Sequence, residues 1–413
     1  MDAFMNFFEN VIVPPLAKLG ELKHLRAIRN GLAVTIPFII IGSLFLIISN
    51  IPISGWDKII GGYADKLAVP VNVSFGMLAV LASLGIGYNL SKEVGVDPIS
   101  GALLSLVAFF VTQVTDKYTL DTSNFGSSGL FTAIIVSIIA VESMKFFIKK
   151  NIVIRLPEGV PPAVANSFIS LLPGAAVIVL LWFIRVVLGF DITAFLKMVF
   201  SPLVFALNTL PGILVYMLMV CLLWVVGIHG DNIMSAVGAP IFLQYITENS
   251  QAFLNHQPIP YITAQGFIDF FVNIGGTGAT LALVILMIGS KSKVYNSLGK
   301  LALPSGIFEI NEPVTFGFPI VLNPIMMIPY IVTPLILTTV TYLLMYFHII
   351  GRPVILVPWT MPPIISHFLV TGGDWRAAVW GLISIIISAL VYLPFFKVAE
   401  RRQLEEEKVA VKN

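Results

Sequence analysis

Residues 301 to 323 read Leu-Ala-Leu-Pro-Ser-Gly-Ile-Phe-Glu-Ile-Asn-Glu-Pro-Val-Thr-Phe-Gly-Phe-Pro-Ile-Val-Leu-Asn, an apolar stretch that holds two carboxylates and cannot be one helix. Pro304, Gly306, Pro313, Gly317 and Pro319 interrupt it at short intervals, and each proline removes a backbone donor and clashes with the preceding turn. In lipid, broken backbone survives only where protein or a water-filled cavity satisfies its polar groups. An ionised carboxylate at that depth costs several kcal/mol unless it is partnered, so it marks a functional site. Glu312 is therefore the expected chemical centre of a loop folded partly back into a membrane.

That argument assumes lipid as the solvent, and composition supplies it. Of 413 residues, 57% are hydrophobic and 11% charged, against about 25% charged in soluble domains. The net charge of +2 is too small to attract nucleic acid. Cys221 is the one cysteine, which excludes disulfides within the chain and any multi-cysteine metal site. It lies in an apolar run and reads as packing. No metal and no cofactor is expected.

A span needs about 20 apolar residues. Residues 30–49, 73–90, 98–115, 128–148, 168–189, 209–228, 268–289, 325–347 and 376–396 meet that need, with 231–249 as a more polar tenth. Four basic groups flank these spans: Lys18, Lys23, Arg26 and Arg29; Lys145, Lys149, Lys150 and Arg155; Lys291, Lys293 and Lys300; and Lys397, Arg401, Arg402, Lys408 and Lys412. Together they hold 16 of the 24 basic residues. The positive-inside rule puts all four in the cytoplasm, which requires that 231–249 cross and that 301–323 return to the side they entered. The expected fold is an all-α polytopic membrane protein with about ten transmembrane helices and both termini cytoplasmic. A second Pro-rich stretch, near 353–370, suits another partly inserted hairpin.

Two amphipathic segments read as interfacial helices. Phe4, Phe7, Phe8, Val11 and Ile12 share one stripe of residues 2–12, with no cleavable signal pattern. Ile192, Phe195, Leu196, Val199, Phe200 and Leu203 share a face of residues 191–207, opposite Lys197. The second divides the chain into an N-terminal membrane domain of five spans (1–190) and a C-terminal domain of five spans (208–397), whose polar residues, taken up next, make it the expected substrate-binding domain. A charged cytoplasmic tail (398–413) follows.

Polar content separates the halves. Spans of the first carry small residues (Gly42, Ser43, Gly85, Gly87, Gly101, Ser105), which let helices approach closely and read as packing or oligomerisation. Glu142 and Arg185 sit near span ends, where snorkelling accounts for them. The second half concentrates groups suited to a neutral, hydroxyl-rich ligand. His229 stands in Gly227-Ile-His-Gly230, and Asn273 in Phe271-Val-Asn-Ile-Gly-Gly-Thr-Gly278, where Gly275 and Gly276 open a close backbone approach. Trp224 and Trp359 offer ring faces for the C–H face of a sugar, though either alone also suits an interface anchor. Asp231 reads as hydrogen-bond support for His229, Asn311 as a partner of Glu312, and Glu309, one turn before Glu312, as a cap or a structural pair. No Ser-His-Asp arrangement, paired-His metal motif or Walker sequence is present.

The Ile310-Asn311-Glu312-Pro313 run, Gly-x-His-Gly at 227–230 and the span count resemble the membrane component (enzyme IIC) of the bacterial phosphotransferase system, lactose/cellobiose/diacetylchitobiose branch. The resemblance extends to about residue 397. It implies a homodimeric group translocator that binds a disaccharide and presents its 6-hydroxyl to a phosphocysteine on enzyme IIB, with enzyme IIA upstream. It implies Glu312 and His229 at the reactive hydroxyl, with Asn273, Trp224 and Trp359 around the sugar. A β-linked disaccharide such as diacetylchitobiose or cellobiose is the expected cargo. The competing reading is a proton-coupled sugar symporter using Glu312 or Asp231. A channel or structural protein leaves the intramembrane Glu and His unexplained.

Overall fold

A computed structural model describes residues 22–51, 55–157, 159–318, 320–321 and 323–410. The expected interfacial helix at 2–12, together with Lys18, Pro319 and Lys412, lies outside the described residues. Among the described residues every regular element is helical, apart from one isolated bridge between Val114 and Leu120. Among the described residues six helices are long and apolar enough to cross a membrane: Lys23–Ser49, Asp65–Val94, Ser127–Lys149, Val164–Val187, Met327–Tyr346 and Trp375–Val409. Ile192–Leu207 joins Leu210–Val225 at an 81° bend, and that bent pair qualifies as a seventh. Pro98–Thr112 is shorter, and Gly230–Leu254 carries the polar residues noted above.

Local chemistry sets these boundaries. Asp97 caps Pro98–Thr112 by accepting the Ser100 N–H at 2.8 Å, with proline in the first turn where its missing donor costs nothing. Asp191 caps Ile192–Leu207 through the Ala194 N–H at 2.8 Å. The small residues of the first half pack its helices within the chain. A Cβ on Gly85 would lie 2.4 Å from the Gly31 carbonyl oxygen, and one on Gly42 1.9 Å from Ser74 Oγ. Glu142 and Arg185 do more than snorkel. Glu142 meets His24 at 3.0 Å and Lys145 at 2.8 Å, and Arg185 meets Asp116 at 3.1 Å.

The largest apolar core runs through both halves of the chain, joining Leu32, Ile39, Phe75 and Ile86 to Trp224, Ile246, Phe271 and Phe396. Cys221 is buried within it. The Ser43 hydroxyl accepts the Leu356 N–H at 3.2 Å, so the 353–370 segment is tied to the first half. That segment is a hairpin: Val354 and Ile355 donate their N–H groups to the Val370 carbonyl at 2.8 and 3.1 Å.

Two breaks differ from expectation. The 268–289 segment is not one helix; Phe267–Phe271 and Leu281–Ile288 are separated by a glycine loop. Gly275, Gly276 and Gly278 hold φ of +79°, +93° and +90° there, which a right-handed helix cannot contain. In 301–323 the break is narrower than the proline spacing predicts. Lys293–Ile307 continues through Pro304; the chain breaks at 308–311, resumes as Glu312–Gly317 and leaves helical geometry again at Phe318, as Gly317 and Pro319 predict. A Pro in a helix forfeits one backbone bond, and the tertiary contacts of this helix outweigh the loss. The short helix folds back on the long one: Phe318 packs its ring 4.7 Å from that of Tyr295, and Gly317 abuts Leu298.

Candidate functional site

The Gly-x-His-Gly motif is a helix-to-helix corner in which each residue has a separate task. Leu210–Val225 ends with Gly227 in the left-handed region (φ +86°), its N–H on the Trp224 carbonyl and that of Ile228 on Leu223. This is the paired C-terminal closure that favours glycine at that position. His229 then caps Gly230–Leu254, its Nδ1 accepting the Asn232 N–H at 3.3 Å. A neutral imidazole with Nδ1 as acceptor carries its proton on Nε2, and that atom has no partner among the described residues. Gly230 lets the corner close, because a Cβ there would lie 2.1 Å from the Val220 carbonyl oxygen.

The glycine loop is pinned from three sides. Tyr392 donates its hydroxyl to the Gly278 carbonyl at 2.7 Å, and Thr280 donates to the Gly275 carbonyl at 2.7 Å. Glu309, itself at φ +65°, accepts the N–H groups of Gly275 and Gly276 on Oε2. The loop and the 308–311 turn are thus one unit. Asn311 extends it by donating Nδ2–H to the Thr277 carbonyl at 2.6 Å. A Cβ on Gly276 would stand 2.5 Å from Asn311 Cγ, so only glycine admits this contact.

Asp231 links that unit to the corner. Its Oδ2 accepts the Trp224 indole N–H at 2.6 Å and the Thr277 hydroxyl at 2.5 Å. The Trp224 ring lies 4.3 Å from the His229 ring, centroid to centroid. One network therefore holds Trp224, His229, Asp231, Thr277 and Asn311 around a cavity of about 690 Å³. Glu312 opens onto this cavity; its carboxylate is exposed and makes no hydrogen bond or ion pair among the described residues. Asn273 and Trp359 complete the expected set along the wall. A second cavity of about 360 Å³ adjoins through Asp231, Asn232, Asp269 and Trp359, and reaches Arg29 and Ile36 of the first half.

Of the residues singled out from sequence, Gly275 alone does not line the larger cavity; its N–H is taken by Glu309. Sequence reasoning passed over Thr277 and Asp269. Asp269 accepts from Gln265 Nε2 at 2.5 Å and from the Gly266 N–H at 3.2 Å while facing both cavities. Its position inside Phe267-Ile-Asp-Phe-Phe271 gave the same signal that drew attention to Asn273. The cavity carries four carboxylates and, among its lining residues, neither lysine nor arginine. Hydrogen-bonding amides, an imidazole donor and two indole faces fit a neutral polyhydroxyl ligand and oppose an anionic one.

Comparison with known proteins agrees with this chemistry. Residues 29–334 match the family described as phosphotransferase system, EIIC. The chain is 40% identical to a lichenan permease IIC component of Bacillus subtilis (strain 168), across 98% of this chain and 96% of the relative. It is 38% identical to a PTS system cellobiose-specific EIIC component of Geobacillus stearothermophilus, across 98% of this chain and 96% of that one. Its structure is similar to the crystal structure of the transporter ChbC, the IIC component from the N,N'-diacetylchitobiose-specific phosphotransferase system. That match has a TM-score of 0.93 and 37% identity, and covers 97% of this chain and 99% of the other. A likeness spanning nearly every residue leaves no part of the fold unassigned, and the chain belongs to the phosphotransferase-system EIIC family, as a membrane-spanning, sugar-specific permease component that works with an EIIB protein.

Proposed function

We propose that this permease takes a β-linked disaccharide of the cellobiose or diacetylchitobiose kind and holds its 6-hydroxyl against Glu312 and His229. The observation that carries the reading is Glu312: an unpartnered carboxylate facing a cavity whose other walls are indoles, amides and an imidazole with a free Nε2–H. Trp224 and Trp359 cover sugar C–H faces, while Asn273, Asn311 and the Gly276 backbone meet hydroxyls. Asp231 serves the site from behind, through Trp224 and Thr277. The two adjoining cavities offer room for two rings.

Glu312 accepts the hydrogen bond of the 6-hydroxyl, which fixes its direction and raises its nucleophilicity. The oxygen attacks the phosphorus of the EIIB phosphocysteine; the O–P bond forms, the S–P bond breaks with thiolate leaving, and the hydroxyl proton passes to Glu312. Positioning supplies most of the acceleration in such a transfer. In this reading residues 1–190 form a homodimer and 208–397 carry the sugar as a rigid body, with 191–207 lying in the interface between them. The 81° bend after Leu207 supports an in-plane helix there. Both termini face the cytoplasm, where EIIB and, upstream of it, EIIA act.

Glu312→Gln keeps the shape of the site and removes the proton acceptor. Phosphorylation-coupled uptake of cellobiose by vesicles supplied with EIIB is expected to fall roughly 100-fold or more, with the protein still assembled in the membrane. Normal accumulation of phosphorylated sugar in that variant rejects the role of Glu312. The symporter alternative is not supported: the family is a phosphotransferase component, and Asp231, its second proton candidate, is occupied by two donors.

A further inference from the structure

Two residues of the cavity wall each carry an oxygen with no hydrogen-bond partner among the described residues. Glu309 and Asn273 are 8% and 7% exposed, and Glu309 Oε1 and Asn273 Oδ1 are buried without a hydrogen-bond partner among the described residues. Both residues line the larger cavity. They are neighbours through the glycine loop, since Gly276 donates its N–H to the Asn273 carbonyl at 2.8 Å and also to Glu309 Oε2 at 3.2 Å. Glu309 is thus a divided group: one oxygen holds the loop, and the other has no structural duty. Buried acceptors left unmatched are costly and rare in native proteins, so a donor completes such a site when it works.

We propose that Glu309 is a specificity-determining residue whose Oε1 accepts a hydrogen bond from one ring hydroxyl of the bound sugar, as Asn273 Oδ1 does from another. The inference deepens the reading above and rests on it. Each hydroxyl supplies one donor, so a ring position bearing only C–H opposite Glu309 leaves Oε1 stranded. Sites that must pair a substrate hydroxyl reject analogues lacking it far more strongly than apolar pockets discriminate by size. Glu309 therefore selects for a hydroxyl at one defined ring position, separately from Glu312, which addresses the reacting alcohol.

Glu309→Gln tests this, because the two oxygens respond differently. The amide oxygen still accepts from Gly275 and Gly276, while an NH₂ donor replaces Oε1. Cellobiose and its monodeoxy analogues are titrated against detergent-solubilised wild-type and variant proteins, and the thermal midpoint of each sugar-free protein is recorded. The expected result is an unchanged midpoint, roughly tenfold weaker cellobiose binding, and loss in the variant of the affinity penalty for one deoxy analogue only. Affinity equal to wild type overturns the proposal, as does a uniform loss that leaves every deoxy penalty intact, since a loop brace alone gives that pattern. If wild-type protein fails to bind cellobiose and diacetylchitobiose alike, the disaccharide reading itself falls and takes this one with it.

Discussion

Asp231 is where the site is most open to a single substitution. Its Oδ2 holds an indole N–H at 2.6 Å and a hydroxyl at 2.5 Å, and these donors come from two different walls of the cavity. A hydrogen bond onto a charged acceptor contributes about 1.5–3 kcal/mol. Asp231 is half-buried, so the lower end applies to each bond. Asp231→Ala removes both, and water reaching the Thr277 hydroxyl restores part of one. A net cost of about 2–3 kcal/mol in site order corresponds to roughly 30- to 150-fold weaker cellobiose binding. Asp231→Asn keeps one neutral acceptor oxygen and is expected to lose roughly 5- to 10-fold. Titration calorimetry on solubilised protein measures both. The mechanism is separated from simple loss of charge by repeating Asp231→Ala in a Trp224→Phe background, where the indole donor is already gone. There the aspartate effect shrinks, because residues sharing a bond are non-additive. Wild-type affinity in Asp231→Ala, or strict additivity with Trp224→Phe, refutes the argument that this carboxylate acts by holding Trp224 and Thr277.

Gly276→Ala places a side chain at φ +93° and a Cβ 2.5 Å from Asn311 Cγ. Strain of about 1–3 kcal/mol plus displacement of Asn311 should lower both the thermal midpoint and sugar affinity; a wild-type midpoint and affinity contradict this. The proposed place of Glu312 at the 6-position, in a cavity lined by neither lysine nor arginine, predicts poor retention of the phosphorylated product. Phosphocellobiose, tested in competition with cellobiose, is expected to bind at least roughly 100-fold more weakly, since like charges a few ångströms apart repel by about 4 kcal/mol at an intermediate dielectric. Equal competition refutes the electrostatic account of release.

Much of this was legible in the chain because the signals are local. Gly227, His229 and Gly230 sit within four residues, and each meets a requirement of one corner: a left-handed closure, a cap and a close approach. Glu312 stood out because an acid in an apolar, broken stretch has few structural excuses. Glu309, in the same stretch, could cap or pair structurally by sequence alone; in the structure it accepts the Gly275 and Gly276 N–H groups of the glycine loop. Pro304 misled for a related reason: a proline's local penalty is readable, whereas the contacts that let Lys293–Ile307 absorb it are not. The glycine cluster at 275–278 was recognised as a place of close approach. That it ends one helix and begins another depends on Glu309, Tyr392 and Asn311, all distant in sequence.

Asp231 and Thr277 show where sequence reading stops. They are 46 positions apart, and their bond exists only because Gly230–Leu254 and the glycine loop are brought together by a core running through both halves. Thr277 in a glycine-rich run carries no local mark of function, since threonine is common in such turns. Asp231 was marked by its charge, but its partner was not, so its task looked like support for the adjacent His229. In the structure it supports Trp224 instead, seven residues earlier. The difference matters for how the site works. A carboxylate bonded to His229 would tune that ring's proton, whereas one bonded to Trp224 and Thr277 fixes the spacing of two walls. The proposed proton-handling role falls on Glu312, the carboxylate in this cavity with neither oxygen engaged among the described residues.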